Sequence, residues 1–309
     1  MLAQLLALVV SLVLNAPAPE RLTDPTRPVA ERIPEGRVLL AEAVGDSTRE
    51  PRRVQETLGP ATSGDAFVVL DLESGRVLAA KEPSAIRPVA SLTKLLTAFT
   101  VLRSGTDLDA IAEVSERAVR TGRRGANIRL VHGERIRVRD LLAGLLIPSA
   151  NDAAVALAEH VSGSEEAFAR RMEETARALG LSRTRAGNAT GFDAETTFSS
   201  AYDVALLLSS AWRDPMLGEL LRTEELRVSS VDRRHIHRLH TTNRLLGVRP
   251  EILGGKTGLT DAAGQNLAVV AESPGGHPVV AVVLGSDDRF GDVENILNWA
   301  FWAYRWPER

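Results

Sequence analysis

Two groups of strand-like runs at opposite ends of the chain constrain its fold more than any other feature. Near the start, residues 66–70 and 76–80 are short apolar runs joined by Glu73-Ser74-Gly75, the pattern of an antiparallel hairpin. Near the end, residues 252–257, 266–271 and 278–284 repeat the pattern, and Gly275-Gly276 turns the last two into a second hairpin. The intervening spacing is helical. Residues 140–146, 151–161, 164–179 and 201–212 read as helices, with Gly180 placed to cap the third. A last amphipathic helix is expected over residues 292–304. Strands at both ends with helices between predict an α+β fold: one antiparallel sheet built from both chain ends, with a helical lobe inserted at about residues 100–230.

With 309 residues the chain can bury a substantial core. A net charge of −3 gives no reason to expect nucleic acid. No cysteine is present, which removes disulfides, thiolate metal sites and cysteine catalysis. Residues 2–14 are apolar and end before small residues, so residues 1–18 read as a secretory signal; the run is short for a membrane span, and no Lys or Arg precedes it. Residues 19–63, rich in Pro, Arg, Glu and Thr, read as an extended linker, and residues 64–309 as the folded domain.

Three short motifs carry chemistry. Ser91-Leu92-Thr93-Lys94 sets a hydroxyl three residues before an amine, one helical turn, and the following Leu95, Leu96 and Phe99 sink that turn into a core. A lysine in such a place is hard to keep charged and can serve as a base. Ser149-Ala150-Asn151 lies between two helices and offers a hydroxyl and an amide that can point together. Lys256-Thr257-Gly258 lies on a late strand, where a second cation would lower the pKa of Lys94 and attract a carboxylate. Glycine there would let a peptide lie against the strand edge. Singly, these are an ordinary helix start, an ordinary cap and a strand entering a turn. His235, His237 and His240 invite a metal reading, but no cysteine or placed carboxylate accompanies them and Arg233, Arg234 and Arg238 would repel a cation. A solvated basic strand is the expectation there. Trp299, Phe301 and Trp302 read as helix packing.

In this order and local setting the three motifs resemble those of the serine penicillin-recognising enzymes, and the chain is most similar to the low-molecular-mass D-alanyl-D-alanine peptidases of the S11 family. The carrying residues are 87–94, 149–153 and 254–260, with Ala263-Gly264. The resemblance implies a β-lactamase/transpeptidase-like fold and a serine-type D-Ala-D-Ala carboxypeptidase working through an acyl-enzyme. Ser91 would attack, Lys94 would take its proton, and Ser149 would pass a proton to the leaving amine. Asn151 would hold the substrate, and Lys256, Thr257 and Arg289 its carboxylate. Gly258 and Leu259 would line the strand edge, with the N–H groups of Ser91 and Leu259 as the oxyanion hole.

The same resemblance implies peptidoglycan stem peptides as substrates, β-lactams as inhibitors, no cofactor, no metal and an extracytoplasmic location. A membrane tether would run only through an uncleaved N-terminus. A DD-endopeptidase is the alternative, which the nearness of residue 309 to the last helix also suggests, and a silent cell-wall peptide binder is a further one. A β-lactamase is disfavoured, since no glutamate-bearing loop between Asn151 and Lys256 is evident. Asn266, where many relatives carry cysteine, and Glu173-Glu174, where many have asparagine, depart from the pattern at places expected not to touch the chemistry.

Overall fold

A computed structural model describes residues 50–308. The two chain ends meet in one five-stranded antiparallel sheet. Its strands are β1 (Ala66–Asp71), β2 (Val77–Lys81), β3 (Ile252–Thr260), β4 (Gly264–Glu272) and β5 (Pro278–Ser286), in the order β3-β4-β5-β1-β2. The seam between the ends is β5 on β1, with Val280 opposite Leu70 and Val282 opposite Val68.

The helices are α1 (Thr93–Arg103), α2 (Glu116–Gly122), α3 (Val138–Leu146), α4 (Asn151–Ser162), α5 (Glu165–Ala178), α6 (Ala201–Arg213), α7 (Pro215–Arg222) and α8 (Arg289–Ala303). Side chains alternate across a strand. Phe67, Val69, Leu267, Val269, Ala281 and Val283 therefore share one face, packed with Val293, Ile296, Leu297 and Ala300 of α8. Val68, Leu70, Ala268, Val270, Val280 and Val282 are buried on the other face, where α6 packs. Cover on both faces explains why these strands read as nearly continuous apolar runs without polar alternation.

Edges moved in ways that matter for function. β3 continues to Thr260, so Lys256-Thr257-Gly258 lies within the strand. α8 starts three residues early, which puts Arg289 on its first turn. The short helices α2 and α7, and the strand Glu225–Ser229 that pairs with the expected strand at Ile236–His240, were absent from the sequence reading.

The domain also begins before residue 64. Arg52 and Arg53 pair with Arg305 and Tyr304, Trp299 Nε1 donates to Leu58 O at 2.8 Å, and Ser63 Oγ donates to Asp292 Oδ2 at 2.7 Å. Residues 52–63 are thus held by α8 and the residues just after it, and are not a free linker. The expected signal segment and the linker up to residue 49 lie outside the described residues. Among the described residues no helix is long and apolar enough to cross a membrane.

The histidine expectation is corrected too. His237 is buried, with Nδ1 2.7 Å from Ile128 O and Nε2 2.7 Å from Glu134 Oε1. Both partners accept when Glu134 is ionised, so both ring nitrogens donate. Burial opposes charge on this ring, yet the Glu134 hydrogen bond and charge outweigh it and the pKa is raised. The carboxylate is 103 residues away in sequence, where no local pattern could indicate it.

Candidate active site

Ser91 is not on the α-helix proper. It sits in a 3-10 turn, Ala90–Leu92, that leads directly into α1 and Lys94. Ala90, just before it, has φ 49°, a left-handed conformation that a side chain adopts only under constraint. Three neighbours supply that constraint. A side chain at Gly258 on β3 would meet Val89 O at 2.8 Å, and one at Gly191 would meet Ala90 O at 2.0 Å, so both glycines exist to let backbone press against this turn. Asn266 donates to Pro88 O at 3.3 Å and accepts from Gly285 N at 2.8 Å. Asn266 therefore braces the turn, contrary to the expectation that it stands apart from the site. Gly258 likewise serves the fit between β3 and the Ser91 turn.

Lys94 is fully buried, and its Nζ lies 2.8 Å from Ser91 Oγ, 2.8 Å from Asn151 Oδ1 and 2.6 Å from Thr190 O. Desolvation lowers its pKa from 10.5 to about 7, with the Asp152 carboxylate working in the opposite direction. Burial was expected to do this together with Lys256; the burial part holds, and Lys256 is not among the causes. The repulsion falls instead on Lys256, whose pKa is driven well below its ordinary value by burial, then by Lys94 and Arg289. A neutral Lys94 has two N–H bonds for Asn151 Oδ1 and Thr190 O, and its lone pair is left facing Ser91 Oγ. That is the geometry of a base set to take the hydroxyl proton.

Two features of this pocket were missed from sequence. The loop of residues 188–192 delivers Thr190 O, and Asn188 Oδ1 ties it by accepting from Thr190 N, Gly191 N and Phe192 N. Gly187-Asn188 and Gly191 were a turn signal that could have marked it. Asp152, at the start of α4, accepts from Ile128 N, Leu130 N and Ala153 N and places a carboxylate behind the lysine. Burial raises its pKa and those N–H bonds work against the rise.

Ser149 is 4% exposed, and its Oγ has no hydrogen-bond partner among the described residues, so the structure does not link it to Ser91 or Lys94. Its φ of 66° is a strained conformation that costs about 1–3 kcal/mol, held between α3 and α4.

The cationic side of the site lies on β3 and α8. Lys256 Nζ is buried and donates to Thr257 O at 3.0 Å, and Thr257 Oγ1 is 2.6 Å from Thr242 Oγ1. Arg289 Nη1 donates to Gly258 O at 2.8 Å, while its Nε is buried without a partner. The Leu259 side chain is exposed, which leaves its backbone as the part available to the site. Arg244, not anticipated, flanks the Phe290 ring at 5.7 Å as Arg289 does at 4.9 Å. Burial and then Arg244 lower the pKa of Arg289. Lys256, Arg289 and Arg244 with two threonine hydroxyls bring together donors of the kind that bind a carboxylate.

A sheet of both chain ends, an inserted helical lobe and a Ser–Lys pair pinned where they meet define a serine-enzyme site on a transpeptidase-like fold. The Streptomyces K15 DD-transpeptidase has that fold, with a TM-score of 0.74 and 27% identity over 79% of this chain and 99% of that one. The chain belongs to the peptidase S11 family, described as D-alanyl-D-alanine carboxypeptidase, whose model matches residues 53–288. Among curated relatives, D-alanyl-D-alanine carboxypeptidase DacF of Bacillus subtilis is 32% identical over 83% of this chain and 66% of its own length. A D-alanyl-D-alanine endopeptidase of Pseudomonas aeruginosa is also 32% identical, over 84% of this chain and 84% of its own. The chain spans 63% of the length of the Escherichia coli carboxypeptidase DacC.

Proposed function

We propose that the chain is a serine-type D-alanyl-D-alanine carboxypeptidase acting on peptidoglycan stem peptides outside the cytoplasm, and that β-lactams acylate the same serine. One observation carries the reading: a buried Lys94 amine with its pKa lowered to about 7, 2.8 Å from Ser91 Oγ, on the side of the site next to the Lys256 and Arg289 donors.

In this mechanism Lys256, Thr257 and Arg289, with Arg244 nearby, hold the carboxylate of the last D-Ala, and Asn151 orients the residue before the scissile bond. Ser91 Oγ gives its proton to Lys94 Nζ and bonds to the carbonyl carbon. The oxyanion is held by the N–H groups of Ser91 and Leu259, fixed donors whose individual loss typically costs about 3 kcal/mol of barrier. Breaking the C–N bond then releases D-Ala, its amine taking, by way of Ser149, the proton that Lys94 had accepted from Ser91. Water hydrolyses the ester to return free Ser91. The apolar segment of residues 2–14 supports export by its composition.

Incubation with a fluorescent penicillin and, separately, with a stem pentapeptide tests this. Stable labelling and D-Ala release are expected from the wild type, and neither from Ser91→Ala. Labelling without D-Ala release, together with cleavage of cross-linked stem dimers, would replace the reading by an endopeptidase. Absence of both labelling and cleavage in a folded wild type would overturn the acyl-serine mechanism.

The Asp152 carboxylate raises the pKa of Lys94, so Asp152→Asn should move the inflection of labelling rate against pH below the wild-type value. The amide keeps one acceptor oxygen for the Ile128–Leu130 segment. Stopped-flow labelling between pH 5 and 9 (roughly two units either side of neutrality) reads it, and an unmoved or raised inflection contradicts the assignment.

A further inference from the structure

Away from Ser91, a cavity of about 550 Å³ lies where the end of α1 and the end of α4 meet α5. Its walls include Arg103 of α1, Ser162 of α4, and Arg170, Arg171, Glu174 and Thr175 of α5. Lys94 and Arg103 stand at opposite ends of α1, about 13 Å apart along the axis, so this cavity is distinct from the acylation site. Among the described residues, none of the three guanidiniums has an ion pair or hydrogen bond, although Glu174 lies four residues after Arg170. Two wall atoms, Arg103 Nη1 and Ser162 Oγ, are buried with no hydrogen-bond partner. A buried donor left without a partner is costly, more so a charged one, which marks the place where a ligand would supply what the protein lacks.

We infer that this cavity is a binding site for a phosphate-bearing ligand. The donors that line it come from three helices. A planar carboxylate matches the fork of a single arginine, whereas a tetrahedral phosphate presents oxygens to several donors at once. The volume exceeds that of bare phosphate and suits a small organic molecule carrying it. Glu174 and the carbonyl ends of α1 and α4 offset part of the positive charge, so binding depends on all three arginines together. The site does not rest on the carboxypeptidase reading, because it shares no residue with that machinery.

The test titrates the full chain with inorganic phosphate and with pyrophosphate, by calorimetry and thermal melting, at an ionic strength held constant with potassium chloride. Saturable binding is expected for the wild type and for Ser91→Ala. It should weaken about tenfold or more for each of Arg103→Gln and Arg170→Gln. Arg170 is exposed, so its variant folds even if that of Arg103 does not. Penicillin labelling, read in parallel, should be unchanged in both. Sedimentation with phosphatidylglycerol vesicles separates the sources. Binding of soluble phosphate supports a free phosphorylated ligand, and arginine-dependent binding to vesicles alone supports a phosphodiester headgroup. No saturable binding of either, or binding that Arg170→Gln leaves intact, overturns the proposal.

Discussion

Lys94→Met is expected to slow acylation of Ser91 by about 10²–10⁴-fold, the usual range for loss of a positioned general base. Methionine fills nearly the same space and removes the amine from between Ser91 Oγ, Asn151 Oδ1 and Thr190 O. The variant should still fold. Two acceptors lose a donor at about 1–3 kcal/mol each, but the interior no longer has to hold an amine that burial disfavours as a cation. The wild type supplies the companion measurement. With Lys94 titrating at about 7, the acylation rate should rise with pH through neutrality as the amine loses its proton, and Lys94→Met should lose that inflection. A rate close to wild type, or an inflection that survives the substitution, would mean that another group takes the serine proton.

Gly191→Ala should damage both stability and acylation, because the space for a methyl group there is already occupied by backbone. Gly191 has φ 82°, and the added carbon would stand 2.0 Å from Ala90 O and 3.1 Å from Ser91 N. Strain in the left-handed region alone costs about 1–3 kcal/mol. The clash adds to this by pushing the Ser91 turn off its geometry, and neither partner is a side chain that could rotate away. Gly133→Ala provides the contrast: φ is 76° but nothing lies within 4 Å of the added carbon, so only the strain is incurred. Melting midpoints should fall in both variants, whereas penicillin labelling should fall steeply only in Gly191→Ala. Equal labelling in the two would show that Gly191 does not hold the turn.

How much of this was legible in advance depended on whether the signal was local. The central strands and the helices from Asn151 to Ala178 were readable because their apolar periods are long and glycines or serines punctuate them. Their ends were not. β3 runs past Gly258 because the turn that stops it is three residues further on, and α8 starts at Arg289 because Asp288 accepts from Gly291 N as its cap. Residues 52–63 look polar enough for a linker, yet they are held by partners such as Asp292 and Trp299, more than 200 residues away.

By itself the sequence determined which chemistry is available: a serine three residues before a lysine, a Ser-x-Asn turn, a lysine strand, and a fold whose sheet must be closed by both ends. Those follow from residue identity and short spacing, which act through local backbone geometry. Only the tertiary structure decided what that chemistry is worth. Burial, as the apolar spacing implied, lowers the pKa of Lys94 without help from Lys256, Asp152 limits the fall, Thr190 O and Asn151 aim the amine, and Gly191, Gly258 and Asn266 clamp the strained turn. Desolvation and close contact depend on what surrounds a group in three dimensions, and here the surroundings come from segments that the sequence keeps far apart.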